Sequence, residues 1–219
     1  MNDQLILKFP DQQAYKNEDF YVSSSNKEAY DFVNSWPKWI KRIVNVFGPS
    51  GSGKTHLASI LKRKTTFLET SNRKLNDDIL SEFKIKETMI LENLDETISE
   101  RLLFALWNVA LQDNKYLFIT SKNPITSYKF KLNDLTSRIN SSLSLGIKLP
   151  SDDLISAILA KNFSDKQISV EKNHIDYIIN RIDRSYEKIG QFILTLDKYS
   201  LKKRSPFSLK LIKEVLKMI

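Results

Sequence analysis

Short apolar runs alternate with stretches of helical spacing over the first two thirds of the chain, and from Pro150 onward only the helical spacing remains. The runs Ile43–Phe47, 66–69, 88–92, 116–120 and 145–149 are short, largely apolar and bounded by polar turns, as buried strands are. Between them, His56–Lys62, Asn76–Phe83 and Ser99–Leu111 read as helices. In the last, Ser99 is a cap and Leu102, Leu103, Leu106, Val109 and Ala110 make one apolar face. Ahead of the first strand, Asp19–Val22 reads as extended, then comes a polar turn and a helix that Ser25 or Asn26 caps and Trp36-Pro37 ends. The tail gives helices over Asp152–Lys161, Val170–Ile182, Tyr186–Tyr199 and Phe207–Leu216. Strands alternating with helices predict a parallel five-stranded α/β core. The tail predicts a helical lid of about 70 residues, the size of a small domain.

The turn between the first strand and its helix carries chemistry. Gly48-Pro49-Ser50-Gly51-Ser52-Gly53-Lys54-Thr55 fits G-x-x-x-x-G-K-[ST] without a mismatch. Glycines let the backbone curl so that successive N–H groups face a polyphosphate, Lys54 supplies a point charge, and Thr55 offers a hydroxyl to Mg²⁺. The helix that starts here, with His56 in its first turn, adds its positive end. The motif predicts a P-loop that binds ATP or ADP. Phe20, Tyr21 and Val22, just ahead of the core, are candidates for the base pocket and equally for plain core.

Thr88–Asp95 is an apolar strand ending in acids, at the distance from the P-loop expected of the acid that holds the Mg²⁺ shell. Placing Glu92 at the tip leaves Met89, Ile90 and Leu91 as the buried strand, whereas Asp95 in that role would bury Glu92 and Asn93. Glu92 is therefore expected to share the metal with Thr55. Asn93 then stands where a second acid would polarise water, and an amide takes up no proton, so the chain's own hydrolysis should be slow. Tyr116–Ser121 ends in two hydroxyls, Thr120 and Ser121, candidates to sense a terminal phosphate or position water, with Lys122 following. Arg138 is the only arginine between Arg101 and Arg181. A planar fork grips phosphate oxygens where lysine does not, while a surface salt bridge is the plainer reading. At the start of the chain, Gln4-Leu5-Ile6-Leu7-Lys8-Phe9 either docks in a partner's groove or packs on its own domain.

Composition adds limits. A chain of 219 residues holds one α/β core plus a small accessory domain, hence one nucleotide site. There are no cysteines and two histidines, which excludes disulfides and thiolate metal sites and disfavours a histidine-based one. No apolar run approaches a membrane span and the N-terminus lacks a signal pattern, so a cytoplasmic protein without membrane contact is expected. The net charge of +8 comes from 34 basic residues, 26 of them lysines spread along the chain, and reads as a solvated surface more than a designed patch.

P-loop, acidic strand tip, polar strand tip, an arginine before the last strand and a helical lid together resemble an AAA+ ATPase. Within that group, Phe20-Tyr21-Val22-Ser23-Ser24-Ser25-Asn26-Lys27-Glu28-Ala29-Tyr30 is similar to the FVVGxSNxxAY entry of DnaA-type replication initiators. Leu135-Thr136-Ser137-Arg138 resembles their LxSR box, whose arginine acts on a neighbouring subunit's ATP. The peptide Gln4, Leu5, Leu7 and Phe9 resembles the Q-L-x-L-x-F form of a sliding-clamp-binding motif. A DnaA-like AAA+ module joined to such a peptide, and stopping at Ile219, resembles the Hda family, regulators that inactivate the initiator. The resemblance implies residues 1–11 as the clamp-binding peptide, 12–149 as the AAA+ core and 150–219 as the lid. It also implies a mechanism: holding ADP, the regulator binds the clamp on DNA, meets DNA indirectly through the clamp, and presents Arg138 to ATP on the initiator. It leaves assembly with further copies of this chain open. The family's second sensor is an arginine early in the third lid helix; a gapless alignment puts Glu187 there, and Arg184, one turn earlier, serves if the helix starts early. The alternatives are a helicase-loader-type AAA+ ATPase, a DNA-bound adaptor, and a non-catalytic DNA-binding module built on the basic charge.

Overall fold

The computed structural model describes residues 20–71, 76, 78–165, 170–203 and 208–219. Five parallel strands, β1 (Ile43–Phe47), β2 (Phe67–Ser71), β3 (Thr88–Leu94), β4 (Tyr116–Ser121) and β5 (Leu143–Gly146), form one sheet in the order β2-β3-β4-β1-β5. Helices α1 (Lys27–Asn34) and α2 (Lys54–Lys62) cover one face, and α3 (Ile79–Ile85), α4 (Glu100–Gln112) and α5 (Asn133–Ser141) the other. With both faces covered, the central strands are mostly apolar, and their alternation divides the core. Met89 and Leu91 of β3 meet Leu103, Leu106 and Trp107, while Ile90 between them meets Leu57, Ile60 and Phe118.

The last four helices, α6 (Asp152–Asp165), α7 (Lys172–Ile179), α8 (Tyr186–Lys203) and α9 (Leu209–Leu216), pack around their own apolar centre of Ile155, Leu159, Phe163, Ile178, Phe192 and Ile212. Three features depart from the sequence reading. The final strand lies at 143–146 and not 145–149, because after Gly146 the backbone leaves the sheet: Ile147 N–H still donates to Phe47 O (2.7 Å), but Lys148 N–H turns to Ser25 O (2.9 Å). β3 continues past Glu92 to Leu94 through a bulge opposite β4. Helix α5, with Leu135 and Ile139 alone buried, had no strong apolar period to announce it.

Candidate functional site

Strand β1 delivers the chain to a tight loop, 48–53, from which α2 departs. Two glycines make that loop possible: Gly51 (φ +77°) and Gly53 (φ +90°) sit in left-handed backbone, and a Cβ on Gly53 would fall 2.8 Å from the Phe20 ring. The Lys54 ammonium folds over the loop and donates to Gly48 O (2.7 Å) and Pro49 O (2.8 Å), and its burial pulls its pKa below the usual lysine range. Ser52 is buried under it, and Pro49 and Ser50 complete the turn.

Beside this loop lies a cleft of 520 Å³ whose walls are core on one side and lid helices on the other. Phe20 and Tyr21 line it with His56, Leu154, Ile158 and Tyr186. Phe20 is fixed by a stacked Tyr30 (5.3 Å between centroids) and an edge-on His56 (5.2 Å). Aromatic rings and aliphatic helix faces make a wall for a flat heterocycle. Val22 is not part of it; it faces a separate cleft against Ser151, Leu154 and Ala157.

Tyr186, which the sequence reading did not single out, is the lid residue at the loop. Its Cβ stands 3.1 Å from where a Gly51 Cβ would be, and its hydroxyl donates to Lys148 O (3.1 Å). Helix α8 begins at this residue, so Arg184 lies outside the helix. The Arg184 guanidinium is exposed and pairs with Asp152 at 3.0 Å, lining neither cleft beside the loop. Glu187, the other position considered, is exposed and bonds to Gln191.

On the far side of Lys54 a second cleft, of 390 Å³, is lined by Ser50, Asn93, Asp95, Glu96, Lys122 and Asn123 among others. Asn93 reaches it because the bulge puts that residue in left-handed backbone (φ +54°), a conformation asparagine tolerates. Its N–H donates to Thr120 Oγ1 (3.0 Å). Ser121 is likewise turned inward, donating to Asn123 O (2.7 Å) and accepting from Asn45 Nδ2 (2.8 Å). Both hydroxyls proposed to face a phosphate are therefore engaged in fixing the strand tip, and the residues that line the cleft just after β4 are Lys122 and Asn123. Alternation along a strand would have found this only with the inward partner, Asn45, in view.

Thr55 and Glu92 do come together: Thr55 Oγ1 donates to Glu92 Oε2 at 3.3 Å. Glu92 Oε1 is buried without a hydrogen bond, with the Lys62 ammonium 3.6 Å away and also paired to Glu69. Burial first, then the opposing effects of Lys62 and Glu69, leaves the Glu92 pKa above the usual carboxylate range. A hydroxyl beside a carboxylate with an unfilled lone pair is a donor set that suits a hard divalent cation, with phosphate oxygens and water completing the shell. Among the described residues no cluster of three acidic, histidine or cysteine ligands exists.

Arg138 stands apart from both clefts. It projects from α5 over the Phe104 ring of α4, 4.9 Å from its centroid. The peptide Gln4, Leu5, Leu7 and Phe9 lies outside the described residues.

No protein-family model matches the chain. Among curated proteins, the chromosomal replication initiator protein DnaA of Campylobacter jejuni is 26% identical over 231 aligned positions, covering 93% of this chain and 52% of the initiator. The chain spans about half the length of the curated relatives it matches. Among solved structures, domain III of the Thermotoga maritima DnaA superposes with a TM-score of 0.76 at 16% identity, covering 95% of this chain and 98% of that domain. AMPPCP-bound DnaA from Aquifex aeolicus gives 0.67 at 18% identity, over 87% of this chain and 69% of that one. Likeness at such identity concerns the fold.

Proposed function

We propose that the chain, which is similar to replication initiators over the length of their AAA+ module, is a DnaA-related AAA+ protein: a nucleotide-holding regulator of replication initiation that binds the sliding clamp and stimulates ATP hydrolysis by the initiator DnaA. The observation that carries this reading is the separation of Arg138 from the chain's own P-loop: the guanidinium rests on Phe104 and lines neither cleft there. An arginine so placed is available to a nucleotide held by another subunit, where it stabilises charge on the transferred phosphoryl, an effect worth roughly 10³–10⁵ in rate in other systems.

The chain's own site holds ADP or ATP and turns it over slowly. Lys54 and the N–H groups of the 48–53 loop take the phosphates, and the Phe20, Tyr21 and His56 wall takes the base. Thr55 and Glu92 hold Mg²⁺, which when bound neutralises phosphate charge. Asn93 orients water without accepting its proton, and Arg184 does not reach across, since it pairs with Asp152 and lines neither cleft. Gln4, Leu5, Leu7 and Phe9 serve as the clamp peptide, bringing the regulator to DNA-bound initiator. Adding the protein to ATP-loaded initiator with clamp-loaded DNA should accelerate hydrolysis. Replacing Gln4, Leu7 and Phe9 with Ala should return the rate to background while ADP binding persists; undiminished acceleration by that variant refutes clamp recruitment.

A further inference from the structure

The cations that look scattered along the sequence are gathered by the fold onto the edge of the sheet where the strands begin, opposite the P-loop. Four connections meet there. The one into β1 carries Lys38, Lys41 and Arg42, and the one into β2 carries Arg63 and Lys64. The end of α3 and its turn into β3 carry Lys84 and Lys86, and the turn into β4 carries Lys115. Against these eight stand Glu87 and Asp113, so this edge holds most of the chain's surplus of +8 and the remainder is near neutral. At the opposite edge, Lys54 and Lys122 are offset by Glu92, Asp95 and Glu96.

Hydrogen bonds and ring contacts tie this edge together. Arg42 donates to Asn114 O (2.7 Å) and lies over the Tyr116 ring, Lys115 donates to Lys86 O (2.6 Å), and Lys64 donates to Asn34 Oδ1 (2.9 Å), tying each connection to its neighbour. Beneath them Trp36 and Trp39 pack edge-on against Tyr116, at 4.4 and 5.8 Å. Lys38, Lys41, Lys84 and Lys86 are left exposed. In the order β2-β3-β4-β1 these connections span three strand intervals, about 15 Å, enough to meet several consecutive phosphates of a duplex, which carries one charge per roughly 1.7 Å of axis. Six of the eight cations are lysines, compact point charges that bind phosphate without a fixed bidentate geometry, as a sequence-independent contact requires. Among the described residues no helix or ribbon projects from this edge to enter a groove.

We propose that this strand-entry edge is a sequence-independent contact for the phosphate backbone of duplex DNA, made by the chain directly and independently of nucleotide at the P-loop. The test is fluorescence anisotropy with a labelled duplex of about 30 base pairs across a salt series. The wild type should bind at low salt, with log affinity falling against log salt by about 0.9 per phosphate contacted. The triple variant Lys38→Glu, Lys41→Glu, Lys86→Glu should weaken binding at least about tenfold and flatten that slope by about 2–3. A triple with the same change in net charge on exposed lysines of the C-terminal helices, Lys172→Glu, Lys210→Glu, Lys217→Glu, should change affinity less than about threefold, since charges more than a Debye length away are screened. Lys54→Ala, which disables the P-loop and not this edge, should bind DNA like the wild type. Equal loss in both triples would mean general charge attraction and overturn the proposal. So would no duplex binding by the folded wild type, including the case in which polyglutamate binds instead and the edge serves an acidic protein.

Discussion

Lys54 carries the site at the scale of a single residue. Its ammonium is half-buried and held by two loop carbonyls, so its position over the 48–53 loop is set before any phosphate arrives. A hydrogen bond to a charged group is worth roughly 1.5–3 kcal/mol, so Lys54→Ala should weaken ADP binding by about 10- to 100-fold, read by calorimetry; unchanged affinity would place the nucleotide elsewhere. This residue was legible in the sequence because the glycine and lysine spacing of the motif is itself the geometry. Tyr186 was not, because it is brought to Gly51 by the packing of α8 on the core across 134 intervening positions. The directions of the Thr120 and Ser121 side chains were also hidden. They depend on Asn45, buried in β1, whose Nδ2 reaches Ser121 Oγ and whose Oδ1 accepts from Ile125 N–H (3.1 Å).

At the scale of elements, the position of Arg138 depends on how α5 is anchored. Glu100, the first residue of α4, accepts from Lys131 N–H and Leu132 N–H (2.9–3.0 Å), fixing the chain just before α5 begins. These backbone donors hold the Glu100 carboxyl below the usual carboxylate range. The unfolded chain therefore takes up this proton first as pH falls, so the contact's contribution is complete above about pH 4.3 and is lost on further acidification. Glu100→Gln should melt below the wild type at neutral pH, with the gap closing in acid. A gap constant from about pH 3 to 7 would show that the charge is not what anchors α5. The strands and the long helices were readable from periodicity, as was the α/β class. The short polar helix α5 and the exit of β5 after Gly146 were not, because each is set by partners distant in sequence, Glu100 for one and the Ser25 carbonyl for the other.

At the scale of the whole molecule, three surfaces are separated: the P-loop with its two clefts at the strand exits, Arg138 above α4, and the basic strand-entry edge. A protein that used its own arginine on its own nucleotide would bring the first two together. Their separation is the reason to assign Arg138 to a partner's ATP, and the most direct measurement is single-turnover hydrolysis of ATP preloaded on the initiator with clamp-loaded DNA. Wild type, Arg138→Ala and Arg138→Lys would be compared after each is shown to bind ADP and clamp normally. Acceleration of about 10³-fold or more is expected from the wild type and near-background rates from both variants, since lysine lacks the planar fork. Acceleration by Arg138→Ala equal to that of the wild type would show that Arg138 does not act on the initiator's ATP.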